Sequence, residues 1–176
     1  MLLDRRRFAV AVCGACAFAN LYATQPLLPL LGDEFSATPA ESSVTLTAGI
    51  LSVALTAPVA GLLADGWGRK RVIAAAVLAL AVPTALAGLA GGLAELVVWR
   101  FLQGLCLPFI FAVTVAYIGE EWEAKDAAAV TGVYIAGTVT GGFLGRLVAG
   151  AVAEVAGWRG AFVALGALDA VMGLLI

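Results

Sequence analysis

The chain has 176 residues, of which 62% are hydrophobic and 12% are charged, and its formal net charge is −2. Soluble domains are about half apolar and about a quarter charged. In water, this small number of charged residues could not cover so much apolar surface. The composition therefore excludes a soluble domain and predicts an integral membrane protein.

Six apolar segments are each long enough to cross a bilayer, which takes about 20 helical residues. They run from Phe8 to Leu31, Val44 to Ala64, Val72 to Ala90, Leu96 to Ile118, Ala127 to Ala153, and Gly160 to Ile176. Apolar and polar residues do not alternate within them, which favours helices over barrel strands. Pro26 and Pro29 predict a kink near the end of the first helix.

Lys and Arg residues are unevenly divided between the two ends of these helices. The N-terminus and the loops after the second and fourth segments carry seven of them, whereas the other three loops carry one. Basic residues accumulate on the cytoplasmic side of membrane proteins. The bias therefore predicts a multi-pass protein of the cell (inner) membrane, in contact with the lipid bilayer and not with nucleic acid, with a cytoplasmic N-terminus.

The stretch 60–70 reappears in degenerate form at 149–159, an offset of 89 residues, or about half the chain. Both copies place an acid, a glycine and a basic residue in the same order. Each half then holds three helices, and an odd number turns the second copy upside down in the membrane. We therefore predict two inverted three-helix repeats, 1–90 and 91–176, as found in secondary transporters.

The turn between the second and third segments is the most polar part of the first repeat. Gly61 is expected to allow close approach of a neighbouring backbone, and Gly68 to permit the tight reversal. Asp65 is expected to pair with Arg69 or to cap a helix. With Lys70, this arginine would hold the turn at an anionic membrane face.

This turn reads Gly-x-Leu-Ala-Asp-x-x-Gly-Arg-Lys-Arg and resembles the loop between helices two and three of the major facilitator superfamily. The stretch 96–104 resembles the fourth-helix motif of proton-coupled members, and 19–29 resembles the first helix of bacterial exporters of the acriflavine-sensitivity branch. The fifth segment is similar to the fifth-helix motif of exporters through Gly137, Gly141, Gly142 and Gly145. Two residues depart from that motif: Gly142 stands in place of a proline, and Arg146 in place of a glycine.

The resemblance implies an all-α fold of twelve helices in two halves, of which 1–176 would be the N-terminal half, with the C-terminal half absent. It also implies transport of a small molecule by alternating access, most simply proton-coupled export of drugs or metabolites. Asp65 and Arg69 would then latch the cytoplasmic side. The glycine ladder of the fifth segment would serve as a packing face and as a hinge against the missing half, or against a second copy.

Three charged residues lie inside predicted helices, where a charge costs about 2.5–3.5 kcal/mol on insertion scales. Arg100 either snorkels to the interface or, with Gln103 and Gly104 of the same motif, serves proton coupling. Asp169 lies near mid-depth and either carries a proton or pairs with Arg100 or Arg146.

Helix one and Arg146 supply the candidates for a substrate wall. Asn20, Tyr22, Thr24 and Gln25 bring polar and aromatic groups to the first segment, which lines the central cavity in the resembling family. The alternative interpretation is hydrogen bonding between helices.

Two other functions stay open at this stage. One is uptake of an anionic metabolite bound by Arg100 and Arg146; the other is a truncated membrane interaction module that does not transport. The chain has no histidine, no nucleophile–base pair and no phosphate-binding glycine loop between a strand and a helix. We therefore predict no enzymatic activity, no metal site and no cofactor.

Overall fold

A computed structural model describes residues 5–176, and every regular element within this range is a helix. The elements are α1 (Arg5–Tyr22), a 3₁₀ turn (Gln25–Leu27), α2 (Leu28–Phe35), α3 (Pro39–Trp67), α4 (Arg69–Ala87), α5 (Leu93–Glu121) and α6 (Ala124–Leu175). Five helical stretches in this range are long and apolar enough to cross a membrane, if α1 and α2 are taken together. The all-α fold class predicted from the sequence is confirmed.

Helix α6 is long enough to cross a bilayer twice. Its 52 residues would span about 78 Å, against about 30 Å for the hydrocarbon core. Gly157 interrupts it with a φ of 69°, in the left-handed region that favours glycine. The first arm, 124–156, packs on α1, and the second arm, 158–175, packs on α4. The six predicted crossings are thus present, with the last two joined by this glycine.

The first predicted segment is broken rather than kinked. Helix α1 ends at Tyr22 and α2 begins at Leu28, with the 3₁₀ turn between them. Pro26 and Pro29 have no N–H, so they cannot donate to the carbonyls four residues earlier, as a continuous helix requires. The chain continues through a tighter turn, in which the Leu27 N–H donates to the Thr24 carbonyl at 3.0 Å.

Helix α3 begins with a capping box, in which the Glu41 N–H donates to the Thr38 hydroxyl and the Thr38 N–H donates to the Glu41 carboxylate. It therefore starts earlier than the apolar pattern suggests. It ends at Gly68, whose φ of 87° reverses the chain into α4.

Two helix pairs form close, parallel seams. A Cβ placed on Gly141 of α6 would collide with the backbone of Ala15 on α1, and a Cβ on Gly104 of α5 would collide with Ser52 on α3. Ala15 and Gly104 are 89 residues apart, as are Ser52 and Gly141. The two contacts therefore lie at positions related by the 89-residue offset of the predicted repeat.

Candidate substrate and coupling site

Arg100 of α5 binds the end of the broken first helix. Its Nη1 donates to the Asn20 carbonyl at 3.1 Å, and its Nη2 donates to the Leu21 carbonyl at 3.4 Å. The last carbonyls of a helix have no N–H partner within the helix, and here the Arg100 guanidinium donates hydrogen bonds to them instead. Gly49 of α3 leaves room for it, because a Cβ there would lie 3.3 Å from Nη2. Arg100 is only 2% exposed, so it does not snorkel to the interface.

Gln103 carries the network from Arg100 to helix α4. Its Oε1 accepts from Arg100 Nη1 at 2.7 Å, while its Nε2 donates to the Thr84 hydroxyl at 2.7 Å and lies 3.3 Å from Asn20 Oδ1. The Thr84 hydroxyl donates to the Leu80 carbonyl at 2.7 Å and lies 3.1 Å from the same Asn20 oxygen. Both amide groups are therefore fixed by several partners in the bundle interior.

Asp169 of the second arm of α6 forms the far end of this network. Its Oδ1 accepts from Asn20 Nδ2 at 2.7 Å and from the Cys16 thiol at 3.3 Å, and the residue is 2% exposed. Its Oδ2 is buried and has no hydrogen-bond partner. No basic group in residues 5–176 forms an ion pair with it, so pairing with Arg100 or Arg146, which the sequence left open, does not occur.

Asn20 thus joins two charged residues that do not touch. Its backbone carbonyl accepts from Arg100, and its side chain donates to Asp169. The sequence singled out these three residues but missed Thr84 and Cys16. An isolated polar residue in an apolar helix was the available indication for Thr84, whereas a thiol within an apolar stretch gave no comparable indication for Cys16.

A second cluster surrounds Arg146 of the first arm of α6. Its Nε donates to Gln25 Oε1 at 2.6 Å, its Nη1 donates to the Gly142 carbonyl at 2.9 Å, and its Cζ lies 4.3 Å from the centre of the Tyr22 ring. Such a cation–π contact is worth about 0.5–1 kcal/mol at an exposed site. Phe18 continues the aromatic surface, 6.1 Å from the Tyr22 ring.

The predicted wall of helix one divides into accessible and buried residues. Gln25 is exposed and Tyr22 is half-buried, whereas Asn20 and Thr24 are buried inside the bundle. Asn20 and Thr24 are four residues apart and share the buried face, whereas Tyr22 and Gln25 are three apart and share the accessible one. Asn20 and Thr24 are therefore not brought to the surface that Tyr22, Gln25 and Arg146 share.

The glycine ladder of the fifth segment forms a seam with α1. Cβ atoms on Gly137, Gly141 and Gly145 would lie within 3 Å of the backbones of Ala11, Ala15 and Ala19, respectively. Gly142 faces Tyr22 instead, with 3.3 Å between a Cβ there and the ring. Glycine at that position leaves space for the ring and for Arg146.

The turn around Gly68 lies at the same end of the bundle as the N-terminus. Arg69 Nη2 lies 2.8 Å from Asp65 Oδ1 and 2.7 Å from Glu120 Oε1, so the expected pair also includes an acid from the end of α5. Lys70 is exposed. The prediction for Gly61 was wrong within this chain, because a Cβ there would meet no atom within 4 Å.

The fold and these intramembrane polar clusters define a helical membrane protein with several crossings. The sequence profile described as Major Facilitator Superfamily matches residues 10–176, and the chain belongs to that family. It is 36% identical over 162 residues to the inner membrane transport protein YnfM of Escherichia coli (strain K12), covering 92% of this chain and 39% of the relative.

Two further proteins extend the comparison. The uncharacterized MFS-type transporter YybF of Bacillus subtilis (strain 168) is 31% identical over 168 residues, covering 96% of this chain and 42% of the relative. The crystal structure of a bacterial homolog to the human lysosomal transporter Spinster, in an inward-facing and occupied conformation, superimposes with a TM-score of 0.83 at 19% identity. The superposition covers 99% of this chain and 44% of that one. Because the identity is only 19%, this likeness shows the fold alone. The chain spans about two fifths of the length of the relatives it matches.

Proposed function

We propose that this chain is one half of a secondary transporter that moves a small molecule by alternating access. The observation that carries the proposal is the break in the first membrane helix, whose free carbonyls bind the buried Arg100. Discontinuous helices surround the midplane sites of many transporters. The second half would come from a longer product or from a second copy of the chain.

The substrate would lie against Tyr22, Gln25 and Arg146, the accessible groups beside this break. An aromatic surface with a few fixed polar groups is typical of small-molecule sites. Gln25 and Arg146 are bonded to each other, so a ligand that binds one of them must reorient the other. Asn20 and Thr24 would support this wall from behind.

Proton coupling would use Asp169, with Arg100, Gln103 and Gly104 in supporting roles. The free Oδ2 offers a position for a proton while Asn20 and Cys16 stay bound to Oδ1. Protonation removes the charge that strengthens the hydrogen bond from Asn20. Because Asn20 lies two residues before the end of α1, the protonation state of Asp169 would bias the position of the break.

Export from the cytoplasm is the direction we favour, with the N-terminal end of the bundle inside the cell. Arg5, Arg6 and Arg7 lie at that end with the turn around Gly68, since Arg6 pairs with Glu121 while Arg69 pairs with Glu120. Asp65 and Arg69 would latch this side in the complete transporter. The ladder of Gly137, Gly141 and Gly145, which packs against α1, would keep this half rigid while the halves rock.

Proteoliposomes that contain the chain within its complete transporter test this coupling. With ethidium as a cationic probe and an imposed pH gradient, Asp169→Asn should abolish gradient-driven accumulation but keep exchange at equal pH. The matched control is Asp33→Asn, which alters an exposed acid at the end of α2 and should behave like the wild type. Full accumulation by the Asp169→Asn variant would exclude Asp169 as the proton carrier.

Arg146 favours a second candidate, uptake of a carboxylate. Arg146 has no acidic partner in the described part of the chain, whereas a charge at membrane depth calls for a counter-ion or a wet cavity. The sequence suggested that Arg100 and Arg146 bind an anion together. Because Arg100 is buried and bound to internal acceptors, only Arg146 keeps this role.

Labelled benzoate should enter wild-type and Arg146→Lys proteoliposomes but not Arg146→Gln ones. Equal uptake by all three would reject this candidate.

A further inference from the structure

A cavity of about 530 Å³ lies at the end of the bundle that carries the N-terminus. It is bounded by the first turns of α1 and α4, the last turns of α5 and the end of α6. Phe8, Val10, Ile73 and Leu175 give it apolar walls, and Tyr117 adds a polar group. Its volume falls within the range of about 300–1,000 Å³ that is usual for small-molecule sites. None of these residues belongs to the substrate wall or to the Asp169 network.

Three basic residues, Arg5, Arg6 and Lys70, border this apolar cavity. Within residues 5–176, four acids at this end are already paired: Glu121 with Arg6 at 2.5 Å, Asp126 with Arg7 at 3.8 Å, and Glu120 and Asp65 with Arg69.

Arg5 and Lys70 have no ion pair or side-chain hydrogen bond within residues 5–176. The rim of the cavity therefore carries a surplus of positive charge. Arg71 is also unpaired in this range, but it does not line the cavity.

We propose that this cavity binds an anionic phospholipid, with Arg5 and Lys70 on the phosphate and an acyl chain along the apolar walls. Basic pockets between membrane helices recognise anionic headgroups in this way. The cavity matches both parts of such a molecule, since cations stand at the rim and apolar side chains lie behind them. A free phosphate ion would satisfy the cations but leave the walls unfilled.

Lipid retention tests the site directly. The complete transporter is reconstituted into phosphatidylcholine vesicles with a minor fraction of phosphatidylglycerol, extracted in mild detergent, and analysed by mass spectrometry for bound phosphatidylglycerol. Each basic residue near a membrane surface contributes enough for about a fivefold change in binding. Arg5→Gln or Lys70→Gln should lower retention about fivefold, and the double variant about 25-fold, while Arg71→Gln should match the wild type.

Two further variants separate lipid binding from folding and from free phosphate. Arg5→Lys with Lys70→Arg keeps both charges and should keep the lipid, whereas Ala9→Phe narrows the cavity with all charges intact and should reduce retention. An excess of inorganic phosphate should leave bound lipid in place. Unchanged retention in the double Gln variant, an equal loss in Arg71→Gln, or displacement by inorganic phosphate would each overturn the proposal.

Discussion

The two parallel seams described above share one backbone geometry and differ in what they enclose. In the seam between α1 and the first arm of α6, Gly141 meets the backbone of Ala15. In the seam between α3 and α5, Gly104 meets Ser52 and the backbone of Gly49. The first seam pairs three glycines with alanines and places Gly14 against Tyr134 and Thr138, whereas the second also holds the guanidinium of Arg100.

The largest difference between the seams is at one pair of equivalent positions. Ala11 of α1 and Arg100 of α5 are 89 residues apart, and each lies beside a glycine of its partner helix. Ala11 only packs against Gly137, while Arg100 passes Gly49 and reaches the carbonyls of the broken first helix. One seam therefore serves rigidity, and its counterpart carries a polar network on the same backbone arrangement.

The apolar seam should be intolerant of added volume. Gly141→Ala places a methyl group against the Ala15 backbone, which has no side-chain freedom to yield, so we expect a loss of about 3 kcal/mol in unfolding free energy. Gly142→Ala is the matched control, because its methyl group would meet only side chains, the Tyr22 ring at 3.3 Å and Arg146 Nη1 at 3.8 Å, and should cost less than about 1 kcal/mol. Denaturant unfolding in detergent micelles measures both. Equal losses would show that the seam is not the rigid element.

The polar seam should depend on Arg100 as well as on volume. Arg100→Met keeps a long side chain but leaves the Asn20 carbonyl and Gln103 Oε1 without this donor, so we expect a loss of about 2 kcal/mol. Hydrogen exchange of the amides around residues 21–28 should become faster. Arg146→Met, which removes a half-buried arginine, should cost less than about 1 kcal/mol. A larger effect at Arg146 would reverse this ranking of the two arginines.

Much of the fold could be predicted because its causes are local in sequence. Apolar length predicts the crossings, and glycine with its flanking charges predicts the turns at Gly68 and Gly157. The polar network was only partly predictable, since Thr84 meets Asn20, and Asp169 meets Cys16, only through the packing of separate helices. The break after Tyr22 was also only partly predictable. Two prolines mark its position in the sequence, but the residue that binds its carbonyls, Arg100, lies nearly 80 residues away.

The two turns extend the comparison, because each links one repeat to the other. Gly68 and Gly157 are 89 residues apart and both have positive φ. Arg69 after the first glycine pairs with Glu120 at the end of α5, and Arg159 after the second pairs with Glu34 near the end of α2 at 2.7 Å. Both pairs cross the boundary between the predicted repeats.

The smallest effect that we expect is a difference in unfolding free energy between variants of the two turn acids, Asp65 and Glu154. Asp65 pairs with Arg69, whereas Glu154 has no ion pair in the described range, and exposed pairs are worth about 0.2–1 kcal/mol. Asp65→Asn should therefore lower the unfolding free energy of the isolated chain by about 0.5 kcal/mol, because Arg69 keeps Glu120, and Glu154→Gln should leave it unchanged. In the complete transporter, Asp65→Asn should impair transport well beyond this loss of stability. A fall in transport no greater than the loss of folded protein would make the turn a structural element rather than a latch.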